Sequence, residues 1–145
     1  MREILFRGKR IDNGEWVKGY LFKTTGFKIS QRTLDFCIQV IDDDLGHWSF
    51  NVIPETVGQF TGLLDKNGVK IFEGDIINIE RDYSIGIEEY YARIAFSYGS
   101  FGFITKYDEK FELFTSFGGL NDREEFSSTT SIIGNIHDNP ELLTK

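Results

Sequence analysis

Polar and apolar residues alternate along most of this 145-residue chain, with a period close to two rather than 3.6. Arg2 to Arg7 sets Ile4 and Phe6 on one face and Glu3, Leu5 and Arg7 on the other. Trp16 to Phe22 reads as a return strand interrupted by Gly19, and a glycine inside a strand marks a bulge or a close backbone approach. Phe27 to Gln31 and the nearly all-apolar Leu34 to Ile41 follow, then Trp48 to Ile53, which Pro54 ends. Asp75 to Ile79 leads through a polar tip, Glu80 to Glu89, into a return strand. That strand carries Tyr90, Ala92, Ile94 and Phe96 on one side and Tyr91, Arg93 and Ala95 on the other. Phe101 to Thr105, Phe111 to Thr115 and Ser131 to Ile136 complete the strands, with a polar connection from Phe117 to Ser128.

Turn chemistry joins these runs into hairpins. The stretch Pro54 to Asp75 is the organising one. In Asp65-Lys66-Asn67-Gly68 the Asp side chain can accept from the amides that follow it, and Gly68 supplies a positive φ. Both a type I turn closed by a left-handed glycine and a two-residue Asn-Gly turn fit, and either pairs Leu63-Leu64 with Val69 to Phe72. Glu73-Gly74-Asp75 then turns a corner into the β-rich Ile76, Ile77 and Ile79. Asp12-Asn13-Gly14 is a second hairpin signal. At the end, Asn139 or Asp138 is placed to cap, Pro140 suits a first helical position, and one short helical turn should pack Leu142 and Leu143. These elements predict an all-β chain: a partly open barrel or roll of hairpins, either as one unit over 1–145 or as two small lobes, 1–62 and 63–145, with one short C-terminal helix.

Composition agrees with this and removes some classes of function. Fourteen Phe, six Tyr and two Trp with fifteen Gly favour strands over helices. The single cysteine, Cys37, forbids an intramolecular disulfide, and its place in Phe36-Cys37-Ile38 reads as a buried, inert thiol. No apolar run approaches the roughly 18 residues of a membrane helix, and MREILFRGKR is not a signal peptide, so a cytoplasmic protein is expected. The net charge of −7 is uneven: residues 1–32 carry eight Lys/Arg and three Asp/Glu, or +5, leaving −12 for residues 33–145. The acidic bulk disfavours broad nucleic-acid binding, which needs clustered cations.

Catalytic chemistry finds little purchase. Asp42-Asp43-Asp44 beside His47 lacks the alternating ligands, central glycine and distant Glu of a calcium loop, and reads as a solvated loop. One further histidine, His137, and one thiol do not make a zinc site. Gly58 to Gly62 has a G-x-x-x-G spacing without the Gly-Lys-Ser/Thr of a phosphate loop. Glu73 with Asp75, or Asp43 with Asp44, are the carboxylate pairs an enzyme would use, and a turn explains the first equally well. No catalytic residue, metal or cofactor is assigned.

Three segments, MREILFRGKRIDNGEWVKGY, VGQFTGLLDKNGVKIFEGDI and IIGNIHDNPELL, occur in the order and spacing of the YopX family, which the chain resembles over nearly its whole length. The family comprises small proteins of phages and prophages in Gram-positive bacteria. The resemblance implies an SH3-like roll and oligomeric assembly, and it implies no biochemical activity. The residues that match are Gly62, Asp65, Asn67, Gly68, Gly74 and Asp75 in the middle and Gly134, Asn135, Asn139 and Pro140 at the end, each with a backbone reason for its identity. The expected role is a non-enzymatic phage accessory protein that binds a host or phage protein or assembles with itself. The alternative is a nucleic-acid-binding barrel, for which Arg2, Arg7, Lys9, Arg10, Lys18 and Lys23 with Phe6, Trp16, Tyr20 and Phe22 supply cations and rings; Arg7, Lys9, Arg10, Trp16 and Lys18 are its candidate contacts, and strand alternation must bring the cations to one face.

Overall fold

In a computed structural model, residues 1–24, 36–42, 44, 46–106, 110–120 and 123–144 are described. The expected strand at 27–31 lies outside them, as does Asp43. The architecture is all-β: antiparallel sheets with one short α-helix, and neither sheet closes into a barrel among the described residues. The chain divides into Met1–Phe60 and Thr61–Lys145.

In the first unit, β1 (Phe6–Lys9) and β2 (Trp16–Phe22) form the Asp12-Asn13-Gly14 hairpin, with Arg7 opposite Lys18 and Lys9 opposite Trp16. Its turn is closed by the Arg10 amide donating to Glu15 O at 2.9 Å and the Gly14 amide donating to Arg10 O at 3.0 Å. β3 (Cys37–Asp42) pairs with β2 and with β4 (Gly46–Asn51), and the first residues of β5 (Gly58–Leu64) pair with β1. The order is therefore β4-β3-β2-β1-β5. Gly19 confirms the close approach expected of it, because a Cβ there would lie 2.0 Å from the Gln39 carbonyl oxygen. The first strand differs from expectation. The alternating run from Arg2 enters the ladder only at Phe6, where β2 and β5 supply partners on both sides.

In the second unit β5 ends at the Asp65 turn and β6 (Lys70–Phe72) returns. β7 (Asp75–Tyr83), β8 (Gly86–Ser97), β9 (Ser100–Lys106), β10 (Glu112–Ser116) and β11 (Thr130–Asn135) form a sheet in the order β10-β9-β8-β7-β11. Ile77, Ile79, Ala92, Ile94 and Phe103 project from one face of it and bury with Ile71, Phe117 and Phe126. The Phe103 and Phe126 rings stack with centroids 5.5 Å apart.

Two polar connections hold more regular structure than the sequence indicates, and the first is a hairpin and not a mobile loop. The polar tip from Glu80 to Glu89 is a strand ladder, Glu80 opposite Glu89 and Arg81 opposite Glu88, with only Ser84 and Ile85 between the strands. Alternation continues through Arg81 and Tyr83, so exposure of both faces and not loss of pairing explains the polar sequence. The polar connection contains α1 (Arg123–Ser128), whose Phe126 is buried. One aromatic anchor holds a turn of helix that is too short to show a 3.6-residue period.

Candidate binding surface

The residues singled out by turn chemistry are scaffold. Asp65 is 5% exposed. Its Oδ1 accepts from the amides of Asn67 at 2.9 Å and Val69 at 3.0 Å, and its Oδ2 from that of Ile132 at 3.1 Å. Burial alone would raise its pKa, but the amides of Val69, Ile132 and Asn67 outweigh that and hold the carboxyl below its ordinary value. The Gly68 amide donates to Asp65 O at 3.0 Å with Gly68 at φ 77°, which selects the turn with the left-handed glycine. Asp75 is 1% exposed and accepts from the Phe72 amide at 2.7 Å. Gly74 exchanges backbone bonds with Ile94 and Ile136, and Gly62 lies within β5 at φ 89°.

The terminal motif turns the chain differently from expectation. Asn135 Oδ1 accepts from the amides of His137 and Asp138 at 3.0 and 2.9 Å. Asn139 does not cap with its side chain. Its Oδ1 is packed 2.6 Å from where a Gly134 Cβ would stand and receives the Asn135 amide at 3.4 Å. Pro140 begins a 3-10 turn over Pro140–Leu143, in which Leu142 and Leu143 are only half-buried.

The basic residues of the first unit carry more chemistry. Directly opposed residues of antiparallel strands share a face. The register therefore places Arg7, Lys9, Trp16 and Lys18 on one face of β1 and β2, followed along β2 by Tyr20 and Phe22. Gln39 and Ile41 of β3 and His47, Ser49 and Asn51 of β4 extend the same face. Trp16 packs against two cations of β1: Arg7 Cζ is 4.8 Å and Lys9 Nζ 5.7 Å from its ring centroid. Lys18, Tyr20 and Phe22 are exposed.

Arg10 leaves this group. Its guanidinium sits 4.3 Å from the Phe50 ring centroid and its Nε donates to Asp12 Oδ1 at 2.8 Å, a pairing that raises the Arg10 pKa and lowers that of Asp12. Phe6 is on the opposite face, with Gly8, Val17 and Gly19. Tyr20 and Phe22 are rings that the sequence already offers beside these cations, whereas the polar side chains of β3 and β4 join the surface only through the register.

A hollow of about 920 Å³ lies in the second unit, touched by Arg81, Glu88, Tyr91, Arg93, Glu112 and Leu143 among others. Arg81 and Glu88 project from one face of the sheet, Tyr91 and Arg93 from the other. The hollow thus wraps around the β7–β8 hairpin and is no enclosed chamber for a small molecule. Arg93 and Glu112 pair across it at 2.9 Å. Elsewhere, Cys37 is buried, its Sγ 3.0 Å from Asn51 Oδ1, and burial pushes the thiol up. Among the described residues no three His, Cys, Asp or Glu side chains gather as a metal site, and no helix is long and apolar enough to cross a membrane.

A family model described as "YopX protein" matches residues 5–144. The chain belongs to the YopX family. Its sheets resemble those of protein EF1440 from Enterococcus faecalis, known from a crystal structure, with 23% identity, a TM-score of 0.52 and 99% of each chain covered. That likeness concerns the fold alone. No curated protein matches the chain.

Proposed function

We propose that this YopX protein is a cytoplasmic phage or prophage accessory protein, an SH3-like roll of hairpins that acts by assembly and protein binding without catalysis. The observation that carries the reading is the edge strand β10. It ends the order β10-β9-β8-β7-β11, and its Leu113 is 41% exposed. An edge strand offers its outer backbone groups to another strand.

The sequence of β10, Glu112-Leu113-Phe114-Thr115-Ser116, suits a second copy of itself. Antiparallel pairing about a two-fold axis through Phe114 sets Leu113 opposite Thr115 and Glu112 opposite Ser116, so no like charges meet. Buried Asp75, bound to the Phe72 amide, is better explained as a corner than as a catalytic acid, which supports a role other than that of an enzyme.

Sedimentation velocity over a concentration series tests the proposal. A mass above the monomer is expected for the native chain. Leu113→Glu should weaken association, and adding Thr115→Lys should restore it by opposing the new charges. A native chain that stays monomeric at its solubility limit, or a double variant no better than the single one, would defeat the β10 interface.

A further inference from the structure

We propose that the outer face of β1 and β2 binds single-stranded nucleic acid, with Arg7, Lys9 and Lys18 along the phosphates and Tyr20 and Phe22 against the bases. The chain as a whole carries −7, which sets the expectation against such a ligand. The register changes the local balance. On this face the strand positions are Arg7 and Lys9 of β1, Trp16, Lys18, Tyr20 and Phe22 of β2, Cys37, Gln39 and Ile41 of β3, and His47, Ser49 and Asn51 of β4. Three of them are Lys or Arg, and none is Asp or Glu. Among the described strand positions of this face the formal charge is of one sign, a local attractor for anions on an acidic molecule.

Charge alone would fit any polyanion. The aromatic residues narrow the class. Tyr20 is 55% exposed and Phe22 39%, and both stand on the same strand and face as Lys18. Residues two apart on a strand are separated by about 6.8 Å. The Tyr20–Phe22 step therefore equals the Arg7–Lys9 step, and the two rings continue along β2 from Lys18, which opposes Arg7. Stacking rings beside a cationic row are the two elements of sequence-tolerant single-strand recognition. A duplex hides its base faces and gains only the charged row. An acidic peptide has no planar groups for Tyr20 and Phe22. Trp16, with Arg7 and Lys9 over its ring, steadies the cationic row rather than offering a free stacking surface. The face is assembled by backbone pairing, so its geometry is set before a ligand arrives.

Fluorescence anisotropy of the full chain with a labelled oligothymidylate of about 16 nucleotides tests this. Binding should weaken as salt rises, with a log–log slope near −2 for about three phosphate contacts on a single strand. Lys18→Glu should lower affinity about tenfold and flatten the slope. Tyr20→Ala should lower affinity by about fivefold or more with the slope unchanged. Arg123→Glu, on α1, serves as the charge control and should change neither, and circular dichroism should show each variant folded. Absence of binding at low salt overturns the proposal. So does equal loss with Arg123→Glu, which would make the attraction general. Competition by polyglutamate as effective as by oligothymidylate, with Tyr20→Ala binding like the native chain, would overturn the assignment to nucleic acid.

Discussion

Residues 61–145 and residues 1–60 are both antiparallel sheet, but they are held together by different means. In the second unit Ile77, Ile79, Ala92, Ile94 and Phe103 share one sheet face and are covered by Phe117 and Phe126, so apolar burial does most of the stabilising. Its turns are fixed by buried carboxylates, Asp65 on three backbone amides and Asp75 on a fourth. In the first unit Ile38 and Val52 are fully buried, while Arg7, Lys9, Lys18, Tyr20 and Phe22 take up one side of β1 and β2. There the ladder and the tight approach at Gly19 set the geometry. The contrast teaches that one unit covers a sheet face with aromatic core residues, while the other leaves a sheet face lined by cations and exposed rings.

The largest test of that contrast is Phe103→Ala. It removes a ring stacked on Phe126 and packed near Phe117, and should cost about 4 kcal/mol in denaturant unfolding. A cost near that of a surface substitution would show that the second unit does not depend on its aromatic core.

Asp65→Ala comes next, at about 3 kcal/mol, because three backbone amides lose a charged acceptor. Its pH dependence sharpens the point. The folded pKa is depressed, so the native stabilisation is complete above the ordinary carboxylate value of 3.8 and is lost as pH falls through the lower folded value. Native and variant unfolding curves should converge in acid. A gap that persists there would mean that packing, not charge, accounts for the loss.

In the first unit Gly19→Ala should cost about 2 kcal/mol, since the new Cβ would stand 2.0 Å from the Gln39 carbonyl oxygen and the β2–β3 ladder must shift. Thermal unfolding indistinguishable from native would show that the approach is slack. The smallest effect is expected of Lys18→Glu, within about 0.5 kcal/mol, because the side chain is exposed. A large loss of stability would place Lys18 in the scaffold and remove it from a contact surface.

Much of this was legible in the residues. Asp65-Lys66-Asn67-Gly68 specified its turn because the interactions are local: an Asp side chain reaches the amides two and four residues on, and a glycine accepts a positive φ. The same locality made the Asp12-Asn13-Gly14 hairpin readable, whereas Gly19 marked a close approach without naming Gln39 as the partner. Alternation revealed the faces of β8 because its neighbours follow one another in the chain. The β7–β8 ladder from Glu80 to Glu89 was obscured because both of its faces are wet and no apolar stripe marks it. α1 was obscured because one buried Phe126 is no period.

What the sequence determined by itself was the strand-rich class, the tight turns and the family to which the three motifs point. Those depend on side-chain period and on backbone chemistry within a few residues. Tertiary structure alone decided which residues share a face. Asp65 reaches Ile132 across 67 positions, Arg10 turns to Phe50 and Asp12, and Tyr20 and Phe22 join Arg7 and Lys9 on one surface. Register is a long-range property, and a slip of one residue would exchange the two faces. The composition of each sheet face was therefore not readable until pairing fixed it.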